Sequence, residues 1–244
     1  MKRLYLFSSF LIVMACSEIK SLTANEIVNS AIEVSGGHLY EKSTISFEFR
    51  DKEYVSKNKG ALQERIFKSD SLNYTDIKSN DDFQRFINDI PVTVSDSLAR
   101  LYSNSINSVH YFAQLPYRLN DKSVNKELLG EKTILDKNYY VVKVTFNQKN
   151  GGDDFEDTYF YWFNNETFKP DYLAYDFHTD GGGVRFRKAF NERYVDGIRF
   201  VDYENYKPKD DKVTLTNIME SFLDNKLELL SKIELKNIVV TIEN

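Results

Sequence analysis

The strongest constraint on this chain is a long series of short segments in which apolar and polar residues alternate, each closed by turn-forming residues. From Leu128 onward these run Leu128 to Leu135, Tyr139 to Phe146, Asp157 to Phe163, Tyr172 to Thr179, Val184 to Tyr194 and Ile198 to Tyr206. Asp136-Lys137-Asn138, Asn150-Gly151-Gly152, Asn164-Asn165, Asp180-Gly181-Gly182-Gly183 and Asp196-Gly197 punctuate them. A period of two places successive side chains on opposite faces of a sheet, and turns this short join antiparallel neighbours. The pattern therefore predicts an antiparallel meander.

The same alternation is present upstream. Ile45, Phe47 and Phe49 alternate with Ser46, Glu48 and Arg50, and Tyr54 to Lys57, Leu62 to Lys68 and Leu72 to Ile77 continue the series. A last strand is predicted over Ser231 to Ile242, which brings the expected strands to eleven. Phe83 to Ile87 and Pro91 to Val94 are apolar pieces to which the pattern assigns no state. Sixteen Tyr, eighteen Phe and one Trp fall mostly in the alternating segments, as expected of a β-rich body with a broad apolar inner surface.

Helical spacing is confined to three places. Thr23 and Glu26 form a capping box ahead of the stripe Ile27, Ala31, Ile32 and Val34, and Gly36-Gly37 end that helix. A second helix starts near Ser95 or Asp96 with Leu98, Leu101, Tyr102, Ile106, Val109 and Phe112 on one side, limited by Pro116. A short helical piece is predicted around Asn217 to Asn225.

The only cysteine of the 244 residues is Cys16. Ahead of it lie the cations Lys2 and Arg3, the apolar run Leu4 to Met14, and Val13-Met14-Ala15, with a small residue at the last position. That is the layout of a bacterial lipoprotein signal, in which the thiol carries the lipid after cleavage, and the apolar run is too short to span a bilayer. The expectation is a signal peptide over 1–15, a polar tether over 16–22 and a single β-rich domain over 23–244, anchored in the cell envelope at the outer membrane through Cys16. With Cys16 acylated, no thiol remains for a disulfide or a thiolate metal site. The net charge of −5, which becomes −7 without Lys2 and Arg3, argues against nucleic acid as a partner.

The order of an opening helix, antiparallel strands, a mid-chain helix and a long meander resembles the LolA/LolB-like superfamily of envelope lipoprotein carriers and receptors. The segments that carry it are Glu26 to Phe49 and Lys126 to Tyr206. More narrowly, Ala113-Gln114-Leu115-Pro116-Tyr117, Tyr139-Tyr140-Val141-Val142-Lys143-Val144 and Gly197-Ile198-Arg199-Phe200 resemble an uncharacterised lipoprotein family of the Bacteroidota. The resemblance implies a mainly β (α+β) fold: an open antiparallel half-barrel with the N-terminal and mid-chain helices packed on its concave side. The turn Lys57-Asn58-Lys59-Gly60 departs from the receptors of that superfamily, which present an apolar tip there.

Two constellations are candidates for binding. Phe47, Phe49, Tyr140, Val142, Val144, Phe146, Phe160, Trp162 and Phe177 occupy strand positions compatible with one apolar surface, and Tyr139 or Tyr175 adds a polar group. They form a sealed core or, given the open half-barrel that the resemblance implies, the lining of a cavity. Asp176 and His178 share a face of one strand, as do Arg185 and Arg187 on the next. Paired, they make either a solvated ladder or a grip for a phosphate or carboxylate headgroup. His38 and His110 read as structural, and the acidic turns lack calcium-loop spacing. No catalytic motif, metal site or cofactor motif is found. The expected function is non-covalent binding of an acyl chain, lipid or other hydrophobic molecule. The alternatives are an interaction lipoprotein with a filled core and a hydrolase with a carboxylate or histidine site.

Overall fold

Thr23 opens the first helix with a capping box. Its Oγ1 accepts the Glu26 backbone N–H at 3.2 Å, and Glu26 Oε2 accepts the Thr23 N–H at 2.8 Å. The computed structural model describes residues 21–79, 82–149, 155–178 and 181–243. Cys16 and the signal-like segment lie outside the described residues. Helix α1 (Ala24–Val34) buries Ala24, Ile27, Val28 and Ala31, with Val28 in the place expected of Val34. Gly36 follows at φ +125°, and a Cβ there would stand 3.1 Å from the Gly197 carbonyl oxygen, so the helix end rests on a turn of the far meander.

The strands are β1 (Ser43–Phe49), β2 (Lys52–Lys57), β3 (Leu62–Ser69), β4 (Leu72–Ser79), β5 (Asp82–Ile87) and β6 (Ile90–Val92), then helix α2 (Asp96–Ala113). The meander follows as β7 (Val124–Ile134), β8 (Lys137–Phe146), β9 (Thr158–Asn164), β10 (Pro170–Phe177), β11 (Gly183–Val195) and β12 (Ile198–Pro208). Helix α3 (Ile218–Leu223), β13 (Leu227–Ile233) and β14 (Lys236–Ile242) complete the described chain. Every paired neighbour is antiparallel, in two seven-stranded sheets ordered β14-β1-β2-β3-β4-β5-β6 and β13-β12-β11-β10-β9-β8-β7. The fold is an open half-barrel, mostly β, with α1 and α2 on its concave side. None of the described helices is long and apolar enough to cross a membrane.

The described residues hold fourteen strands rather than eleven. Phe83 to Ile87 and the Pro91 segment pair as β5 and β6 at the edge of the first sheet, where a proline costs no ladder bond. The predicted strand Ser231 to Ile242 is two strands. β13 pairs with β12 in the second sheet, and after Glu234 and Leu235 the chain turns to pair β14 with β1 in the first. Asp202, 2% exposed, holds this corner: its Oδ1 accepts the Leu235 N–H at 3.0 Å and an Arg193 Nη2 hydrogen at 2.9 Å.

Helix α2 also departs from its expected stripe. Ile106, Val109, His110 and Ala113 are buried, but Leu98 and Leu101 are exposed. The reason lies in one rung of the first sheet, where Phe47, Tyr54, Arg65, Asp76, Arg85 and Val92 stand opposite one another in successive strands. The C-terminal half of α2 meets the aromatic end of the rung, with the His110 ring 5.7 Å from both Phe47 and Tyr54. The N-terminal half meets its ionic end. Asp76 Oδ2 accepts from Arg65 Nη2 at 2.6 Å and Asp76 Oδ1 from Arg85 Nε at 2.6 Å, while Tyr102 lies 3.9 Å from the Arg85 guanidinium carbon. A charged platform is met by Tyr102 and Ser105, which leaves the leucines without a burial site.

Candidate ligand-binding cavity

Alternation along β9, β10 and β11 decides what faces the concave side. Tyr159 and Tyr161 of β9, Leu173, Tyr175 and Phe177 of β10, and Arg185 and Arg187 of β11 line it. With Phe49, Phe112, Val124 and Phe146 they bound a cavity of about 1570 Å³ that opens along α2 and the β5–β6 edge. Elsewhere the concave side is filled. Ile27, Val28 and Ala31 of α1, Phe47, Val142, Val144, Phe163 and Phe200 form one continuous core between the sheets. The interior is thus sealed under α1 and hollow between α2 and β9–β11.

Aromatic rings build the hollow part. Phe49 and Phe112 meet edge-on at 5.3 Å, Phe146 and Tyr159 at 5.7 Å, and Tyr159 stacks on Tyr175 at 5.0 Å. The hydroxyls of Tyr111 and Tyr161 are buried near one another without hydrogen-bond geometry. Burial is the main cause that raises the Tyr111, Tyr159 and Tyr161 phenols well above the usual tyrosine range, so all three remain neutral donors. Such a wall suits an apolar guest with a few polar contacts.

The predicted lining residues divide into three groups. Phe49, Phe146 and Phe177 border the cavity. Phe47, Val142 and Val144 are in the sealed core, and Tyr140 packs against it beside Phe168. Phe160 and Trp162 do not share that surface. They belong to a second cluster on the opposite face of the sheet, with Ile134, Tyr172, Phe186 and Met219 of α3. Tyr139 lies in that second cluster too, its hydroxyl donating to Asp171 Oδ2 at 3.0 Å. β9 is aromatic at successive positions because α3 covers one of its faces and the concave core the other, so both sets of side chains read as inward.

The expected cluster of Asp176, His178, Arg185 and Arg187 is not assembled. β10 and β11 pair Tyr175 with Arg185 and Asp176 with Val184. Asp176 would face Arg185 only after a one-residue slip of this register, and such a slip exchanges the two faces. Asp176 Oδ1 instead accepts the Thr158 N–H at 2.7 Å, and His178 Nδ1 stands 3.4 Å from Asp157 Oδ1. The arginines face the cavity. Arg187 Nη2 donates to the Tyr175 hydroxyl at 3.0 Å, and its guanidinium lies 5.2 Å from the Tyr175 ring and 5.5 Å from Phe112. Arg185 lies 4.8 Å from the Phe177 ring and donates to the Val184 carbonyl at 2.9 Å.

Sequence reasoning missed Tyr111, Phe112, Tyr159 and Tyr161 as lining residues and the Arg65–Asp76–Arg85 triad as the platform of α2. Arg65 and Asp76 read as ordinary polar positions of alternating segments, and Arg85 lies in a piece to which the pattern assigns no state. Among the described residues, no group of three or more His, Cys, Asp or Glu side chains is placed to hold a metal ion.

The family model described as Family of unknown function (DUF6503) matches residues 40–235. The chain belongs to DUF6503. The matched span of this DUF6503 chain runs from Tyr40 through both sheets to the corner at Leu235. No curated protein matches the chain at a significant level. Among solved structures it is similar to a LolA superfamily protein from Nitrosomonas europaea, with 14% identity, a TM-score of 0.50, and coverage of 92% of this chain and 94% of that one. It is also similar to a DUF1329 family protein from Desulfovibrio piger, at 10% identity and a TM-score of 0.46, covering 88% and 92% of the two chains. The first similarity shows that the DUF6503 chain shares the LolA-type fold; at this identity it assigns no ligand.

Proposed function

We propose that this protein is a non-catalytic, lipid-anchored envelope lipoprotein that holds an acyl chain, a lipid or another hydrophobic molecule in its concave cavity. The observation that carries the reading is the hollow itself: about 1570 Å³ bordered by aromatic side chains from both sheets and α2. Ligand pockets commonly measure roughly 300–1,000 Å³, so there is space for an extended tail. Val13-Met14-Ala15-Cys16 supports a lipid anchor ahead of residues 23–244, which the proposal takes as one domain held at the outer membrane.

Two measurements test this reading. Protein extracted mildly from membranes is expected to carry lipid in native mass spectrometry, and delipidated protein is expected to take up an added acyl chain. An interior that neither retains nor accepts an apolar guest rejects it. Cys16→Ser is expected to abolish palmitate labelling and release the protein from membranes, since each buried CH₂ of a lipid tail contributes about 0.8 kcal/mol. Equal labelling of wild type and variant rejects the anchor.

A further inference from the structure

Arg187 is placed in a way that packing alone does not account for. A guanidinium carries five N–H donors, and the contacts of this one are a single hydrogen bond to the Tyr175 hydroxyl and two aromatic faces. Its Nε is buried without an acceptor. Aromatic faces hold a guanidinium in position but leave its charge in place. Among the described residues no carboxylate lies within ion-pair distance of Arg187 or Arg185, two positions along the same face of β11.

The surroundings add to this. The cavity is also bordered by four carboxylates, and two of its other cations are already paired, Arg85 with Asp76 and Arg118 with Asp121. Of those carboxylates, Asp121 is ion-paired with Arg118 at 2.6 Å, and Asp157 stands 3.4 Å from His178. Asp82 and Asp96 belong to the β5 and α2 side of the opening. Arg185 and Arg187 therefore keep their positive charge beside the aromatic rings.

We propose that Arg187, positioned by Tyr175 and reinforced by Arg185, is the subsite for the anionic end of an amphiphile, a carboxylate or a phosphate, whose tail lies among Phe112, Phe146 and Tyr159. This rests on the reading of the cavity as a hydrophobic binding site and specifies the class of molecule that it takes. The planar guanidinium fork matches either oxyanion.

The test is calorimetric titration of the delipidated full chain at pH 7.5 with dodecanoic acid, dodecyl phosphate and dodecanol. One or both anions are expected to bind more tightly than the alcohol, and comparison of the two anions separates a carboxylate from a phosphate ligand. Arg187→Gln is expected to weaken anion binding about ten-fold or more, the loss of a charged hydrogen bond, and to leave dodecanol within about two-fold. Arg187→Lys, which keeps the charge without the fork, is expected to recover part of the loss, with circular dichroism confirming that each variant folds. Equal weakening of all three ligands in Arg187→Gln makes Arg187 a strut between β11 and α2 and overturns the proposal. Wild-type protein that binds dodecanol as tightly as the anions overturns the headgroup subsite and leaves the cavity reading intact. Failure of all three to bind rejects both.

Discussion

Asp202 Oδ1 accepts the backbone N–H of Leu235 at 3.0 Å, across the point where the chain leaves one sheet for the other. The same carboxylate receives Arg193 and Asn191, and Arg193 Nη2 also donates to the Leu235 carbonyl at 2.7 Å. One buried acid thus satisfies the turn that a single long strand would not need. Asp202→Ala is expected to lower stability by about 1.5–3 kcal/mol, the range for a lost hydrogen bond to a charged group. Urea denaturation followed by circular dichroism reads this as a lower midpoint, and an unchanged midpoint refutes the role assigned to the corner.

Asp76 holds two guanidiniums in the platform beneath α2, and its side chain is fully buried. Asp76→Asn leaves Arg65 and Arg85 facing each other without a counter-charge. The expected cost is about 3–5 kcal/mol. Replacement of all three residues by apolar side chains of similar volume is expected to recover most of it, because the pairing offsets a desolvation penalty that apolar groups do not incur. Thermal unfolding of both variants distinguishes this from a platform that contributes nothing.

His110 gives the fold an acid-sensitive point. Burial between Phe47 and Tyr54 lowers its pKa to about 3, opposed by the adjacent Glu64 backbone, with Arg118 and Lys78 adding smaller repulsion. The unfolded chain binds a proton near the ordinary value of about 6.5 and the folded chain does not. Stability is therefore full above that value and falls as pH drops toward 3, by about 1.4 kcal/mol per unit from this group. His110→Phe, which keeps a ring against Phe47 and Tyr54, is expected to flatten the dependence between pH 6 and 4 in urea titrations at stepped pH. A slope equal to that of the wild type counts against His110.

Trp162, the only indole, packs against Phe186 on the face opposite the cavity, with ring centroids 6.1 Å apart. Its emission is expected to stay constant when an acyl ligand enters. In Phe146→Trp a second indole borders the cavity, and that variant is expected to change emission on addition of dodecanoic acid. A response from wild-type Trp162 places the ligand under α3 instead.

Much of the fold is legible in the alternating segments, because a sheet with one wet face writes its burial directly into the chain. β1 is an example: Ile45, Phe47 and Phe49 are buried in order. β9 is the opposite case, since a strand covered on both faces by aromatic residues gives no sign of which set lines a cavity. The pairing of β10 with β11 is hidden for another reason, as the turn residues permit registers one residue apart and only packing selects the face of Arg187. The Arg65–Asp76–Arg85 rung joins residues eleven and nine positions apart through three strands, and no local pattern records it.

The pairing of β14 with β1 joins distant parts of the chain. Residues 43–46 find their partners at 239–242, nearly 200 positions later. A chain that emerges from its N-terminus can build β1 to β6 as hairpins, but the outer edge of β1 stays open until the far end of the described chain arrives. Contacts this distant in sequence slow folding, and an open strand edge invites pairing with another chain. β14 is the clasp that closes this edge.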